Sequence, residues 1–179
     1  MGRGVSLVKR IVKCLPMDVS RHVLDALVLS QLDYCFVIWS SAAEKDLNKL
    51  QVAQNKAARC ALQCSYRTRV TEMLETLNWL TVRQRSTYVL LNFVRNITVT
   101  HSPEILSQRL IAQYAQHNYQ TRHTIEGRFV LPKCKSNMGQ KTVMYRAMVS
   151  WNSLPVHIIQ ENSKVHFKWL LKKYLCTIK

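Results

Sequence analysis

Apolar positions recur along this chain at three- and four-residue intervals, the spacing of an amphipathic helix, and this predicts a mainly α protein. Residues Val5 to Leu15 set Leu7, Val8, Ile11, Val12 and Leu15 among Lys9, Arg10 and Lys13, and Pro16 ends that pattern. A second helix is predicted from Asp18, its N-cap or first-turn anion, to Trp39. Its apolar residues (Leu24, Leu27, Val28, Leu32, Phe36, Val37) go nearly all round, which marks a buried element. The third, Ala43 to Gln63, has the clearest two-sided pattern. Leu47, Leu50, Gln54, Ala57 and Ala61 share one face; Lys45, Lys49, Lys56 and Arg59 share another, interrupted by Val52. Ser40 or Ser41 can cap it, with Glu44 completing a capping box, and its alanines allow a neighbouring helix to approach closely.

The pattern continues with a helix over Val70 to Leu77 that turns Met73, Leu74 and Leu77 inward, a tight connection at Trp79 and Leu80, and Thr81 capping a helix to Asn96. That helix opens with Arg83 and Arg85, where the helix dipole disfavours cations; a carboxylate, an anionic partner or solvent must relieve them. Ser102-Pro103-Glu104 starts a further helix to about Gln113. Arg128 to Leu131 reads as one strand of a small hairpin, stopped by Pro132. Lys141 to Asn152 is predicted helical with Val143, Ala147, Met148 and Trp151 inward, and Pro155 bars its continuation. The last helix, Ser163 to Cys176, sets Phe167, Leu170, Leu171, Tyr174 and Leu175 on one side and Lys164, Lys168 and Lys172 on the other.

Charge changes the picture. The chain has 26 Lys and Arg against 10 Asp and Glu, a net charge of +16, so it repels itself unless a polyanion supplies counter-charge. Nucleic acid is the first candidate partner, an anionic membrane surface the second, and a merely basic soluble protein the plain alternative. The excess is concentrated late: residues 127–179 hold ten Lys and Arg and one acid, Glu161. No Gly/Ser/Pro-rich spacer marks the change. The expected organisation is therefore a helical bundle over residues 1–112 followed by a basic helical tail lobe over 113–179. Six scattered cysteines without a Cys-x-x-Cys pair, and a start that reads as an amphipathic helix rather than a signal sequence, predict reduced thiols and an intracellular protein, nuclear or cytoplasmic. The longest nearly uncharged apolar run, Ala26 to Ser41, contains Asp33 and is too short to span a membrane.

No catalytic constellation is visible. Metal-assisted phosphoryl transfer needs closely placed carboxylates, and no two acids are adjacent here. Cys60 with Cys64, or His117, His123 and Cys134, lack the short paired spacings of structural zinc sites, so no metal and no cofactor is expected. Serine or cysteine hydrolase logic lacks its elbow and its positioned base. Asp33, Tyr34 and Trp39 form a candidate cluster; the plainer reading makes Tyr34 and Trp39 core residues with a polar tip and pairs Asp33 with a nearby base. Basic residues interleave with aromatics at Tyr114, Tyr119, Arg122, Arg128, Phe129, Tyr145 and Arg146, the mixture that neutralises phosphates and stacks unpaired bases; Trp151 and Phe167 read as core.

Several blocks together resemble a known family. Tyr119-x-Thr121-Arg122, Leu131-Pro132, Gly139-x-Lys141 with Tyr145-Arg146, Trp151-Asn152-Ser153-Leu154-Pro155 and Phe167-Lys168 follow one another as in the C-terminal tail of reverse transcriptases from non-LTR (LINE-type) retrotransposons. Upstream, Leu32-Asp33-Tyr34-Cys35 with Trp39, Leu47 to Gln51 with Gln54 to Arg59, and Leu77-Asn78-Trp79-Leu80 with Gln84-Arg85 resemble the thumb-like region of those enzymes. The resemblance covers about Val28 to Lys173 and includes no counterpart of the family's paired polymerase aspartates. It implies a non-enzymatic piece that contacts RNA or DNA, with Arg122, Lys133, Lys141 and Arg146 foremost and Lys49, Lys56, Arg59 and Arg128 beside them. The competing expectations are a protein-interaction or self-associating module and a translated mobile-element relic without selected function.

Overall fold

The computed structural model describes residues 15–114 and 125–178. The helix predicted from Val5 lies outside them up to Cys14, as do His117, Tyr119, Thr121, Arg122 and His123. The described residues are mainly helical and contain no strand. They divide into two compact units, Met1–Ser86 and Thr87–Lys179, so that one long helix contributes to both.

In the first unit, α1 (Met17–Leu24) runs through a π-helical turn (Asp25–Leu29) into α2 (Ser30–Asp33), and α3 (Phe36–Trp39) follows. The single helix predicted here is thus interrupted. Tyr34 is extended and Cys35 adopts a left-handed conformation at φ 50°. The break lets the chain fold back, so that Trp39 packs against the core while its indole N–H donates to the Tyr34 carbonyl at 3.2 Å. Tyr34 itself is 77% exposed, which corrects its expected place in the core. α4 (Glu44–Leu62) supplies the floor: Ala57, Ala58 and Ala61 pack with Leu24, Val28, Leu29 and Leu32 on one side and Met73, Leu74 and Leu77 of α5 (Val70–Leu77) on the other. Residues without bulk at those positions allow the close approach that the sequence predicts.

Local signals fixed some helix ends and not others. α4 starts after Ala43 without a side-chain cap; the Ser41 hydroxyl bonds the Ile38 carbonyl at 3.1 Å instead, so the capping box expected with Glu44 does not form. α5 stops at Asn78, left-handed at φ 54°, and the Trp79 N–H reaches back to the Leu74 carbonyl at 2.8 Å. α6 (Val82–Thr100) begins with a reciprocal box: the Gln84 N–H donates to Thr81 Oγ1 at 3.3 Å, and the Thr81 N–H to Gln84 Oε1 at 3.0 Å. Two glutamines of α4 staple this junction. Gln51 Oε1 accepts from the Val82 N–H at 2.9 Å, and Gln54 Nε2 donates to the Leu80 carbonyl at 2.7 Å. The two arginines at the start of α6 find carboxylates. Arg85 holds Asp33 through one guanidinium edge, Nε donating to Oδ1 and Nη2 to Oδ2 at 2.7 Å each, and Arg83 pairs with Glu44. Asp33 therefore has the basic partner expected of it.

The second unit contains the rest of α6, α7 (Glu104–Tyr114), α8 (Asn137–Gln140), α9 (Val143–Asn152), α10 (Val156–Ile159) and α11 (Lys164–Thr177). Residues 128–131 belong to no helix, strand or hairpin, which corrects the expected strand. Their partner is a side chain. Asn152 Oδ1 accepts from the Phe129 N–H at 2.8 Å and Asn152 Nδ2 donates to the Phe129 carbonyl at 2.7 Å. One carboxamide thus satisfies both backbone groups, as a facing strand would. Beside it, the Trp151 indole N–H donates to the carbonyl of Gly127 at 3.0 Å. Gly127 has φ 72°, and a Cβ there would lie 3.1 Å from Ile159 Cγ2, so glycine suits both the turn and the packing. Trp151 sits between Phe129 and Phe167, with ring centroids 6.0 and 6.1 Å away.

Arg95, on α6, is a buried cation that the hydropathy pattern did not single out. Its guanidinium lies 4.4 Å over the Phe167 ring and donates to the Asn162 carbonyl at 2.8 Å. Desolvation pulls its pKa down, and Glu161 works in the opposite direction. The Glu161 carboxylate accepts from the Ser163 N–H at 2.8 Å and meets His166 Nδ1 at 2.6 Å, at the start of α11. The backbone bond from Ser163 is the largest cause of its lowered pKa, and the bond to His166 the next. A carboxylate with a depressed folded-state pKa stabilises the fold above its unfolded pKa and loses that contribution as pH falls through the folded value. Glu161→Gln is expected to leave a melting profile that is flatter than wild type on the acid side and lower at neutral pH. Thermal melts of the two proteins across the carboxylate range check this; parallel profiles would refute it.

Candidate nucleic-acid interface

Seven of the eight cations singled out in the sequence fall on described residues. On α4, Lys45, Lys49, Val52 and Lys56 are all exposed and follow one another at helical spacing, so they form one stripe. Lys49 within it is 2.8 Å from Asp46, an exposed pair of small energetic consequence that a phosphate can displace. Arg59 departs from the stripe: it is half-buried, and its Nε is enclosed without a hydrogen-bond partner among the described residues.

The second unit separates its cations into two groups. Arg128 is turned inward, 2.7 Å from Glu126 and donating to the Asn152 carbonyl at 2.8 Å, where it helps hold the segment 128–131 on α9. Arg146 is half-buried, and desolvation lowers its pKa. Lys133, Lys135 and Lys141 are exposed, and among the described residues none of them has an ion pair.

A compact turn brings these three lysines together. Ser136 Oγ accepts from the Gly139 N–H at 3.2 Å and caps α8, and Thr142 Oγ1 donates to the Gly139 carbonyl at 2.7 Å. Gly139 rests on Cys134, where an added Cβ would stand 3.3 Å from the cysteine Cβ. Between Lys133 and Lys141 there is no acidic residue. Such a turn offers flexible ammonium groups on a fixed backbone, a geometry suited to phosphates spaced along a chain.

The aromatic candidates divide as sharply. Phe129, Trp151 and Phe167 are buried, so Phe129 has no face to offer a base; Tyr145 is half-buried. Among the described residues of this unit, Trp169 on α11 is an exposed aromatic, at 56%, that the sequence pattern did not single out. The signal was available: Trp169 stands two residues from Phe167, about 200° round a helix, and four before Lys173. Among the described residues no group of three or more His, Cys, Asp or Glu is placed to hold a metal ion, and no helix is long and apolar enough to cross a membrane. No protein-family model, curated protein or solved structure matches the chain significantly.

Proposed function

We propose that this chain is a non-catalytic nucleic-acid-binding piece, similar to the thumb and tail of a non-LTR reverse transcriptase, that holds RNA or DNA by its phosphates. The observation that carries the reading is the Lys133–Lys141 turn, three exposed lysines on a backbone fixed by Ser136, Gly139 and Thr142, in a chain of net charge +16. The α4 stripe of Lys45, Lys49 and Lys56 supplies a second basic surface. The order of sequence blocks shared with that family supports the same partner class.

Lys133→Ala/Lys141→Ala removes two exposed charges without touching a described hydrogen bond. The variant is expected to bind single-stranded RNA, a stem-loop RNA and duplex DNA about tenfold more weakly at physiological salt. Its plot of log K against log salt should be shallower by about 1.4 to 1.8, since each phosphate contact contributes about 0.7 on single strands and about 0.9 on duplex. Fluorescence anisotropy over a salt titration measures both quantities. Absent binding, or binding insensitive to salt and to the substitutions, would sink the proposal. The exposed Tyr34, Val37 and Ile38 of the first unit would then favour a protein-interaction surface.

A further inference from the structure

The last helix carries a feature that phosphate binding alone does not use. Val165, Trp169 and Lys173 are exposed and succeed one another every fourth residue, so they form one row along α11. The neighbouring row is Lys164, Lys168 and Lys172, and the buried row of Phe167, Leu171 and Leu175 faces the core. The indole is therefore directed away from the core, not left over from it. It is also held in place: the His166 ring stacks on it at 5.7 Å and 19°, and the Lys173 ammonium lies 5.1 Å over it. A large aromatic that is ordered, more than half exposed and bordered by lysines combines a π-face with counter-charge for a phosphate.

We infer that Trp169 is a stacking platform for an unpaired base of a single-stranded nucleic acid, with Lys168 and Lys173 on the flanking phosphates. The inference rests on the nucleic-acid reading above and adds to it the class of strand. A duplex keeps its bases stacked on one another, whereas a single strand has free faces for an indole. When a base lies on the ring, the Lys173 ammonium gives up its cation–π contact and turns to the adjacent phosphate. Recognition of this kind is tolerant of sequence, because every base has a π-face.

The test compares oligo(dT) with an abasic strand of the same length, which carries the phosphates without the bases. Wild-type protein is expected to bind oligo(dT) roughly 5- to 100-fold more tightly than the abasic strand, with quenching of tryptophan emission. Trp169→Ala should bind both strands equally, at the wild-type affinity for the abasic one, and Trp169→Phe should recover part of the preference. Far-UV circular dichroism confirms that each variant is folded, and the strand preference of wild type stands as a measurement even if one variant is not. Equal wild-type binding to the two strands, or an unchanged preference in Trp169→Ala, overturns the platform. If Lys133→Ala/Lys141→Ala weakens both strands in that case, the phosphate-binding reading survives without it. If neither strand binds, both fall. Quenching by anionic phospholipid vesicles, with no preference for oligo(dT), would assign the row to a membrane surface and overturn the inference.

Discussion

Trp151→Ala is expected to lower the stability of the second unit by about 3–5 kcal/mol, the cost of removing a large buried aromatic. Two losses combine there. The ring that separates Phe129 from Phe167 disappears, leaving a cavity between the segment 128–131 and α11. The Gly127 carbonyl also loses its indole donor, and an unpaired buried acceptor costs about 1–3 kcal/mol by itself. Trp151→Phe separates the two effects: it keeps most of the ring contact and gives up the hydrogen bond, so about 1–2 kcal/mol is expected. Chemical denaturation followed by circular dichroism and near-ultraviolet signals measures both variants. A cost below about 1 kcal/mol for Trp151→Ala would show that the three rings do not form the centre of this unit.

The same result decides how the Trp151-Asn152-Ser153-Leu154-Pro155 block is understood. Trp151 and Leu154 are buried, Asn152 clamps the backbone of Phe129, and Pro155 precedes α10. In this chain Trp151, Asn152 and Leu154 hold together the interior of the second unit. Loss of nucleic-acid binding in Trp151→Ala would therefore follow from unfolding, whereas loss in Lys133→Ala/Lys141→Ala would not.

In the first unit, Gln54→Ala is expected to cost about 2–4 kcal/mol, combining a small cavity with an orphaned carbonyl. Gln54 is fully buried. Its amide donates to the Leu80 carbonyl at 2.7 Å and its oxygen accepts from Gln51 Nε2 at 3.0 Å, while Gln51 also caps Val82. The pair therefore carries the connection between α5 and α6, where backbone groups would otherwise be buried without partners. Gln54→Glu gives a sharper outcome. A carboxylate has no hydrogen to donate to the Leu80 carbonyl and is costly to bury, so its folded-state pKa is raised. By linkage this variant should be closest to wild type at low pH and lose stability as pH rises through that raised value. A Gln54→Glu protein as stable as wild type at neutral pH would show that the amide bond to Leu80 contributes nothing.

Some of these interactions are local in the chain and others are not. Three- and four-residue spacing located α4, α5, α9 and α11 closely, because each has a continuous apolar face to bury. The Thr81 cap was legible because a hydroxyl residue directly before an apolar run marks a helix start, whereas the return bond from Gln84 appears only in the structure. The pairing of Asp33 was foreseeable as a need, but its partner, Arg85, is 52 residues away. The break at Tyr34 and Cys35 left no mark in the apolar pattern. It accompanies the return of Trp39 onto the core, a contact of packing that no local propensity announces. Equally, the apolar run at 128–131 reads as a strand in the sequence pattern, since period and β-propensity do not reveal whether its hydrogen bonds go to a strand or to a side chain.

For the candidate interface, the sign and the location of the charge could be read before any fold was known: +16 in total, with one acid after residue 126. The residue pattern also carries the resemblance on which the partner class rests. Which cations are available depends on the packing. Lys49, Lys56, Lys133 and Lys141 are exposed, Arg59 and Arg146 are half-buried, and Arg128 is engaged with Glu126 and Asn152. It likewise turned Phe129 inward and left Trp169 facing out. The physical reason is common to both. Hydropathy is a property of each residue and is written in the sequence, whereas exposure depends on what the fold places over it.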